Sequence, residues 1–405
     1  MYSMLHSTNK NNGKASSTKT INKNKKYPPN TRKSQGKDQP LSLIDFKTET
    51  TRSLNKHITS LVASASMSPV HNNSTQQLTP IEAAQRATQI LSQMETNYNN
   101  DPQKYARIKP DTISYTATIN AWAKSGAWDA PQRAERILER MEEYVENQTV
   151  GYEHIRPNVI TYSAVINAWA KCSGGGKNSK HSAGDNSAPY QAEKILAKLE
   201  SLYQTCLQKQ NGGVHDDKSS GNQKTENSYN TDNNDGSEPS CQMLKPNARC
   251  YNSVIDAWSR NASPTPKGVG AAKRAASALS RLEERYANTG DMEIQPDTFS
   301  YTCVVNAYSR LNSKEGAEMA MELVDKMEGI YDNDPFGRVK PNVFTYSSLV
   351  NAYANAGMGI QGAEQAEKIL ERMVKNRGVG PNVFVYQGVI EVSFGFHLAI
   401  CFVGE

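Results

Sequence analysis

The sequence predicts an all-α protein, a solenoid of antiparallel helical hairpins, and three observations predict it. The pattern KPDTISYTATINAWAK at 109–124 returns in register at 156–171, 245–260, 295–310 and 340–355, and begins again at Gly380. Past a break, each copy is followed by a second stretch rich in Ala, Leu, Glu, Arg and Met, such as Ala130 to Glu143. Only 37% of the 405 residues are hydrophobic, so much of the length lies outside any core. Self-similarity of this kind marks a stack of units that bury their apolar faces only against one another.

The chain opens with a segment, 1–79, that reads as a disordered basic leader. Its first forty residues hold nine Lys or Arg and a single acid, Asp38. An acid-poor basic leader suits an organelle transit peptide, mitochondrial or plastid; with one arginine, Arg32, and no amphipathic face, plain disorder is the alternative. A helix is expected from Pro80 to Tyr98, and Leu54 to Ser66 reads as a degenerate partner for it.

The solenoid is expected over 80–390, as five complete repeats (112–158, 159–247, 248–297, 298–342 and 343–382) with partial ones at each end. In each, Pro-Asp or Pro-Asn ahead of an apolar-periodic run marks a helix start, with Asp111, Asn158, Asn247, Asp297 and Asn342 as caps. This first helix, A, ends at breaks such as Ser125-Gly126. The second helix, B, is expected at Ala130–Glu143, Gln191–Glu200, Gly270–Glu284, Gly316–Glu328 and Gln361–Met373. The anchoring tyrosines, Tyr115, Tyr162, Tyr251, Tyr301, Tyr346 and Tyr386, stand 40 to 89 residues apart, so the units carry insertions. The largest, 208–243, is almost devoid of apolar residues and reads as a disordered loop. A smaller loop, Ser173 to Ser187, holds a glycine run without the Gly-Lys-Ser/Thr of a phosphate loop. The segment 391–405 abandons the pattern, as a truncated gene model would.

At 100° per residue helix A has two faces. Tyr115, Ile119 and Trp122, with their counterparts, form a stripe that belongs in the core. On the other face the chemistry also repeats: Thr116/Asn120/Lys124, Ser163/Asn167/Lys171, Asn252/Asp256/Arg260, Thr302/Asn306/Arg310 and Ser347/Asn351/Asn355. Stacked hairpins would align these into ladders of small hydrogen-bonding groups, of Asn or Asp, and of cations. Lys124, Lys171, Arg260 and Arg310 then follow phosphates, while Ile113, Ile160, Phe299, Phe344 and Phe384, with Arg249 in the third unit, stack on bases. Single-stranded RNA is the partner such ladders fit, and the net charge of +5 agrees with a polyanion. Shared descent of the units is the competing reason for the repetition.

The Pro-Asp/Asn ending, the Tyr near the start of helix A and the helix B ending in Met-Glu resemble the P-type pentatricopeptide repeat over about Pro80 to Ile390. The resemblance implies a right-handed superhelix that binds organellar RNA in processing, stability, splicing or translation. It further implies that each base is chosen by the residue after the Tyr together with the last residue of the unit. Those pairs are Thr116 with Asn158, Ser163 with Asn247, Asn252 with Asp297, Thr302 with Asn342, and Ser347 with Asn382. Thr or Ser with Asn resembles the adenine pairing and Asn with Asp the uracil pairing, which gives a core near 5'-AAUAA-3'. Units here are longer than the family's repeat, and their inserts put the register at issue.

No catalytic constellation is visible and no cofactor is expected. No histidine is followed two residues later by Glu, as a zinc deaminase requires. The alternatives are a scaffold of the tetratricopeptide type that holds peptides, or the front part of a protein-only RNase P-like nuclease. The six cysteines show no Cys-x-x-Cys pair, so neither a zinc site nor a disulfide framework is expected, and a reducing compartment fits. No apolar run spans a membrane. A monomer is expected, with protein partners, if any, reached through the insert loops.

Overall fold

Pairs of helices joined by short turns run along the chain in the computed structural model, which describes residues 44–65, 78–172, 187–212, 241–376 and 379–392. These lie within one compact unit, Asp38–Glu405. The hairpins are α1 (Thr51–Ala65) with α2 (Pro80–Asn100), α3 (Thr112–Ser125) with α4 (Ala130–Glu146), and α5 (Val159–Cys172) with α6 (Ser187–Gly212). They continue with α7 (Ala248–Asn261) and α8 (Pro266–Thr289), α9 (Thr298–Ser309) and α10 (Lys314–Asn333), and α11 (Val343–Asn355) and α12 (Ile360–Glu371). A π turn, Arg372–Asn376, prolongs α12, and a last A helix, α13, covers 383–392. Among the described residues there is no strand, and the fold is an all-α helical repeat solenoid.

The A helices start where the sequence places them. Asp111, Asn158, Asn247, Asp297, Asn342 and Asn382 each accept the N–H of the third helical residue through Oδ1, at 2.8–3.3 Å. In four of them a Ser or Thr at that third position returns a bond to the cap's own N–H, so two otherwise orphaned donors are satisfied together. Gly126 ends α3 in the left-handed region at φ 69°. Between A and B the chain closes tightly: a Cβ on Gly316 would stand 2.8 Å from the Tyr308 carbonyl oxygen, so only glycine fits there.

Each A helix packs on its own B helix, on the preceding B helix and on the neighbouring A helices, so the A helices form a continuous row. The apolar stripe fills the core: Tyr115, Tyr162, Tyr251, Tyr301 and Tyr346 are buried, as are Ile119, Ile166, Ile255, Val305 and Val350. Their phenols also carry polar work. Tyr115 donates to Glu95, Tyr162 to Glu142, Tyr251 to Glu200, Tyr301 to Glu283 and Tyr346 to Glu328. Each of those glutamates also meets a cation of the next B segment: Arg140, Lys198, Arg285, Lys326 and Arg372 respectively. One carboxylate thus ties three helices. Burial, reinforced by the adjacent carboxylate, pushes the ionisation of the buried tyrosines well above the phenol range.

Three expectations are corrected. The leader to residue 79 is not structureless throughout: Thr51–Ala65 is helix α1, with Leu54 and Ile58 fully buried, in the place of a degenerate A helix. Leu54, Ile58 and Leu61 take the places of the Tyr, Ile and Trp of later units, and this apolar match is what lets Leu54 to Ser66 read as a degenerate partner helix. Second, Cys206 and Cys241 form a disulfide, where none was expected. Their separation of 35 residues across a polar insertion gives no sequence signal, and only the approach of the insertion's two ends brings them together. Closing a segment of that length restricts the unfolded chain by about 4 kcal/mol in the chain-entropy account. Third, the B helices run beyond their apolar-periodic cores, and α6 continues to Gly212, past the expected start of the insertion at 208. Residues 1–43, 173–186, 213–240 and 393–405 lie outside the described residues, with most of the expected leader, loops and atypical terminus.

Candidate nucleic-acid interface

Stacking places the second residue of every A helix on an open surface. Ile113, Ile160, Phe299, Phe344 and Phe384 are 51–72% exposed, and Arg249 is exposed as well. Large apolar groups so exposed, at the same position of successive helices, form a row of surfaces against which flat rings can stack.

The expected reading residues are not on that open surface. Asn252 and Thr116 are buried, and Ser163, Thr302 and Ser347 are half-buried, because each faces the start of the next A helix. In the α7–α9 joint the Asn252 amide N–H meets Asp297 at 3.2 Å (Oδ1) and 3.4 Å (Oδ2), so this expected pair is in direct contact. Ser300 donates to the Asn252 amide oxygen at 2.6 Å. In the α3–α5 joint Thr116 meets Thr161 at 2.9 Å, and Thr161 in turn bonds Asn158 Oδ1 at 3.2 Å. The α9–α11 joint repeats this with Thr302, Thr345 and Asn342, at 2.8 and 3.2 Å. In the α5–α7 and α11–α13 joints the third helical residue is Cys250 or Val385, and Ser163 and Ser347 are not joined to their expected partners Asn247 and Asn382. The Ser347 hydroxyl is buried without a hydrogen-bond partner among the described residues.

A sixth pair was missed from sequence. Asn55 of α1 donates to Asp111 Oδ1 at 3.0 Å and accepts from Ser114 at 2.7 Å, the arrangement of Asn252, Asp297 and Ser300. The spacing of Leu54, Ile58 and Leu61 was the available signal. Joint chemistry thereby recurs with a period of three: Asn/Ser/Asp, Thr/Thr/Asn, then Ser with Cys or Val and Asn, twice over.

Capping fixes which atoms remain to meet a ligand. The cap Asn side chains spend Oδ1 on their own helix, which turns the amide N–H group away as a donor. At Asp297, Oδ1 takes the Ser300 backbone N–H and the Asn252 amide N–H, while Oδ2, 3.4 Å from that amide, retains a lone pair and presents an acceptor. Asn joints therefore offer donors and Asp joints acceptors.

The cation ladder is uneven. Lys124, Lys171, Arg260 and Arg310 are all exposed. Arg260, however, is paired with Asp256 on its own helix at 2.5 and 3.1 Å, and Arg310 donates to the Arg260 carbonyl at 3.2 Å. Lys171 is held below the ordinary lysine range by desolvation and by the like charges of Lys124 and Arg260, so at least these three stand close together. A cleft of about 620 Å³ lies at the third unit, lined by Asn167, Arg249, Asn252, Asp256, Asp297 and Phe299 among others. That volume falls within the ~300–1,000 Å³ span of ligand clefts.

Among the described residues no group of His, Cys, Asp or Glu is arranged to hold a metal ion, and no helix is long and apolar enough to cross a membrane. No curated protein matches the chain. A family model described as a pentatricopeptide repeat domain matches residues 103–171 and 330–395. The hairpins at 103–171 and 330–395 are thus similar to pentatricopeptide repeats, and the same sequence pattern recurs between them.

Proposed function

We propose that the protein binds single-stranded RNA along the exposed side of its A row, one base to a joint, and selects a sequence near 5'-UAAUAA-3'. What supports this is that in six successive joints the residue after the anchoring position sits between helices beside a capping Asn or Asp, while the second residue of each A helix is exposed. A donor from Asn158, Asn247, Asn342 or Asn382 complements the ring acceptor of adenine, and an acceptor from Asp297 complements the ring N–H of uracil. The five pairs expected from the sequence read AAUAA, and Asn55 with Asp111 adds a uracil at the 5' end. Each well-made base contact is worth about 1–3 kcal/mol by analogy with base reading in DNA.

The role follows the family: action on organellar transcripts in processing, stability or translation, with the basic leader addressing the chain to a mitochondrion or plastid. Gel shifts of the purified chain with this hexamer and a scrambled one test the reading; equal affinity for both ends it. Raising salt weakens binding, and Lys124→Ala and Lys171→Ala each reduce the salt slope by about 0.7. Crosslinking in cells with sequencing of the bound RNA identifies the transcript; recovery of background RNA alone favours a peptide-holding scaffold instead.

A further inference from the structure

We propose that, in the four joints whose reading residue is Ser or Thr, the third residue of the following A helix sets how strictly the base is read, by deciding whether the reading hydroxyl keeps a proton to donate. This rests on the RNA reading above and concerns Ser/Thr against Cys/Val at Thr161, Thr345, Cys250 and Val385.

A hydroxyl has one proton and two lone pairs. Thr161 accepts the Asn158 backbone N–H at 3.4 Å and touches both Asn158 Oδ1 and Thr116 Oγ1. If its proton pointed at Thr116, Asn158 Oδ1 and Thr161 Oγ1 would face each other lone pair to lone pair at 3.2 Å. Only the chain Thr116 to Thr161 to Asn158 places a proton in both contacts. Thr116 has then spent its proton, and a base meets only its remaining lone pair. The same bookkeeping holds for Thr302, Thr345 and Asn342.

The other two serine joints lack this relay. Cys250 is buried with its thiol pushed up to about 11 by that burial, and its weak S–H lies 3.4 Å from Asn247 Oδ1. Val385 has neither proton nor lone pair to give. Ser163 thus keeps its proton and can turn between donating and accepting, and the buried Ser347 hydroxyl, which meets no partner among the described residues, keeps its proton too.

An acceptor-only hydroxyl suits the exocyclic amine of adenine and opposes the keto oxygen of guanine, whereas a free hydroxyl serves either. In 5'-UAAUAA-3' the second and fifth bases are therefore read strictly, and the third and sixth loosely.

The test measures affinity of the full-length protein for the hexamer and for single A-to-G changes at the second and third bases. The wild type loses about tenfold or more for the change at the second base and under about threefold at the third. Cys250→Ser installs the relay and raises discrimination at the third base to match the second. Thr161→Val removes it and relaxes the second, while Thr161→Ser keeps the wild-type ratio. The A-to-G ratio is the readout because partial unfolding lowers affinity for both RNAs alike. Equal ratios at the two bases in the wild type, or variants that leave both ratios unmoved, overturn the inference while RNA reading stands. Failure to distinguish the hexamer from a scrambled RNA removes the parent reading, and this one with it.

Discussion

Units one to three carry tryptophan near the end of the A helix, at Trp122, Trp169 and Trp258, whereas units four and five carry tyrosine, at Tyr308 and Tyr353. The difference follows the preceding B helix. Two turns before the glutamate that holds the anchoring tyrosine stand Thr88, Glu135 and Glu193, and each accepts the indole N–H at 2.9–3.0 Å. The same register in the later units reaches Ala276 and Met321, which offer no oxygen acceptor; the weak thioether of Met321 is already met by Arg372 at 3.5 Å. A buried indole N–H without a partner costs about 1–3 kcal/mol, so tryptophan stands where an acceptor waits and is absent where none does. Residues far apart in the chain are thereby matched within each joint, although the joints differ.

Breaking the acceptor in a tryptophan joint gives the largest effect. Glu193 holds Trp258, Arg274 and Arg281 at 3.0–3.1 Å, and Glu193→Ala leaves the indole N–H without its acceptor and takes one carboxylate from both arginines, of which Arg281 keeps Glu200 at 3.9 Å. A loss of about 3 kcal/mol in chemical denaturation is expected; a loss below about 1 kcal/mol would show that the carboxylate contributes little there.

Next comes conversion of a tyrosine joint. Tyr308→Trp costs about 1–3 kcal/mol because Ala276 offers no acceptor, and adding Ala276→Thr, on the precedent of Thr88, recovers most of it. Additive effects in that double-mutant cycle would sever the link between the two positions.

Smaller still, Tyr301→Phe removes the 2.7 Å bond to Glu283 but keeps the ring, for a loss of about 1 kcal/mol. The smallest effect is a pH dependence. Burial and then the charge of Glu139 hold the Glu135 carboxyl above its usual range, against the opposing bond from Trp169. A raised folded-state value means that its favourable contribution is complete below the unfolded value of 4.5 and is lost as pH rises through the folded one. Glu135→Gln keeps a carbonyl for the indole and removes that fall, so its unfolding free energy changes less with pH above 4.5 than that of the wild type.

Much of the site was legible in the sequence because its signals are local. Caps, the apolar stripe and the exposed second residue depend on spacings of a few residues, and Asp111, Tyr115 and Ile113 stand where that spacing places them. Asn55 was missed because α1 lacks the Pro-Asp start and the tyrosine, leaving only the generic spacing of Leu54, Ile58 and Leu61. The pairing of Arg260 with Asp256, where the other units carry Asn, was overlooked, although an acid four residues before a cation on one helix was the available signal.

Sequence alone determined that the chain is a series of helical hairpins, where each A helix begins and which stripe is buried, because 3.6-residue periodicity and capping act within a turn or two. The tertiary structure alone decided what the joints contain: the Tyr–Glu–cation ties, the Cys206–Cys241 bond, and the burial of Thr116 and Asn252 against the next helix. Those partners are separated by insertions of unequal length, so no fixed spacing encodes them, and only the stacking of one hairpin on another brings them within reach.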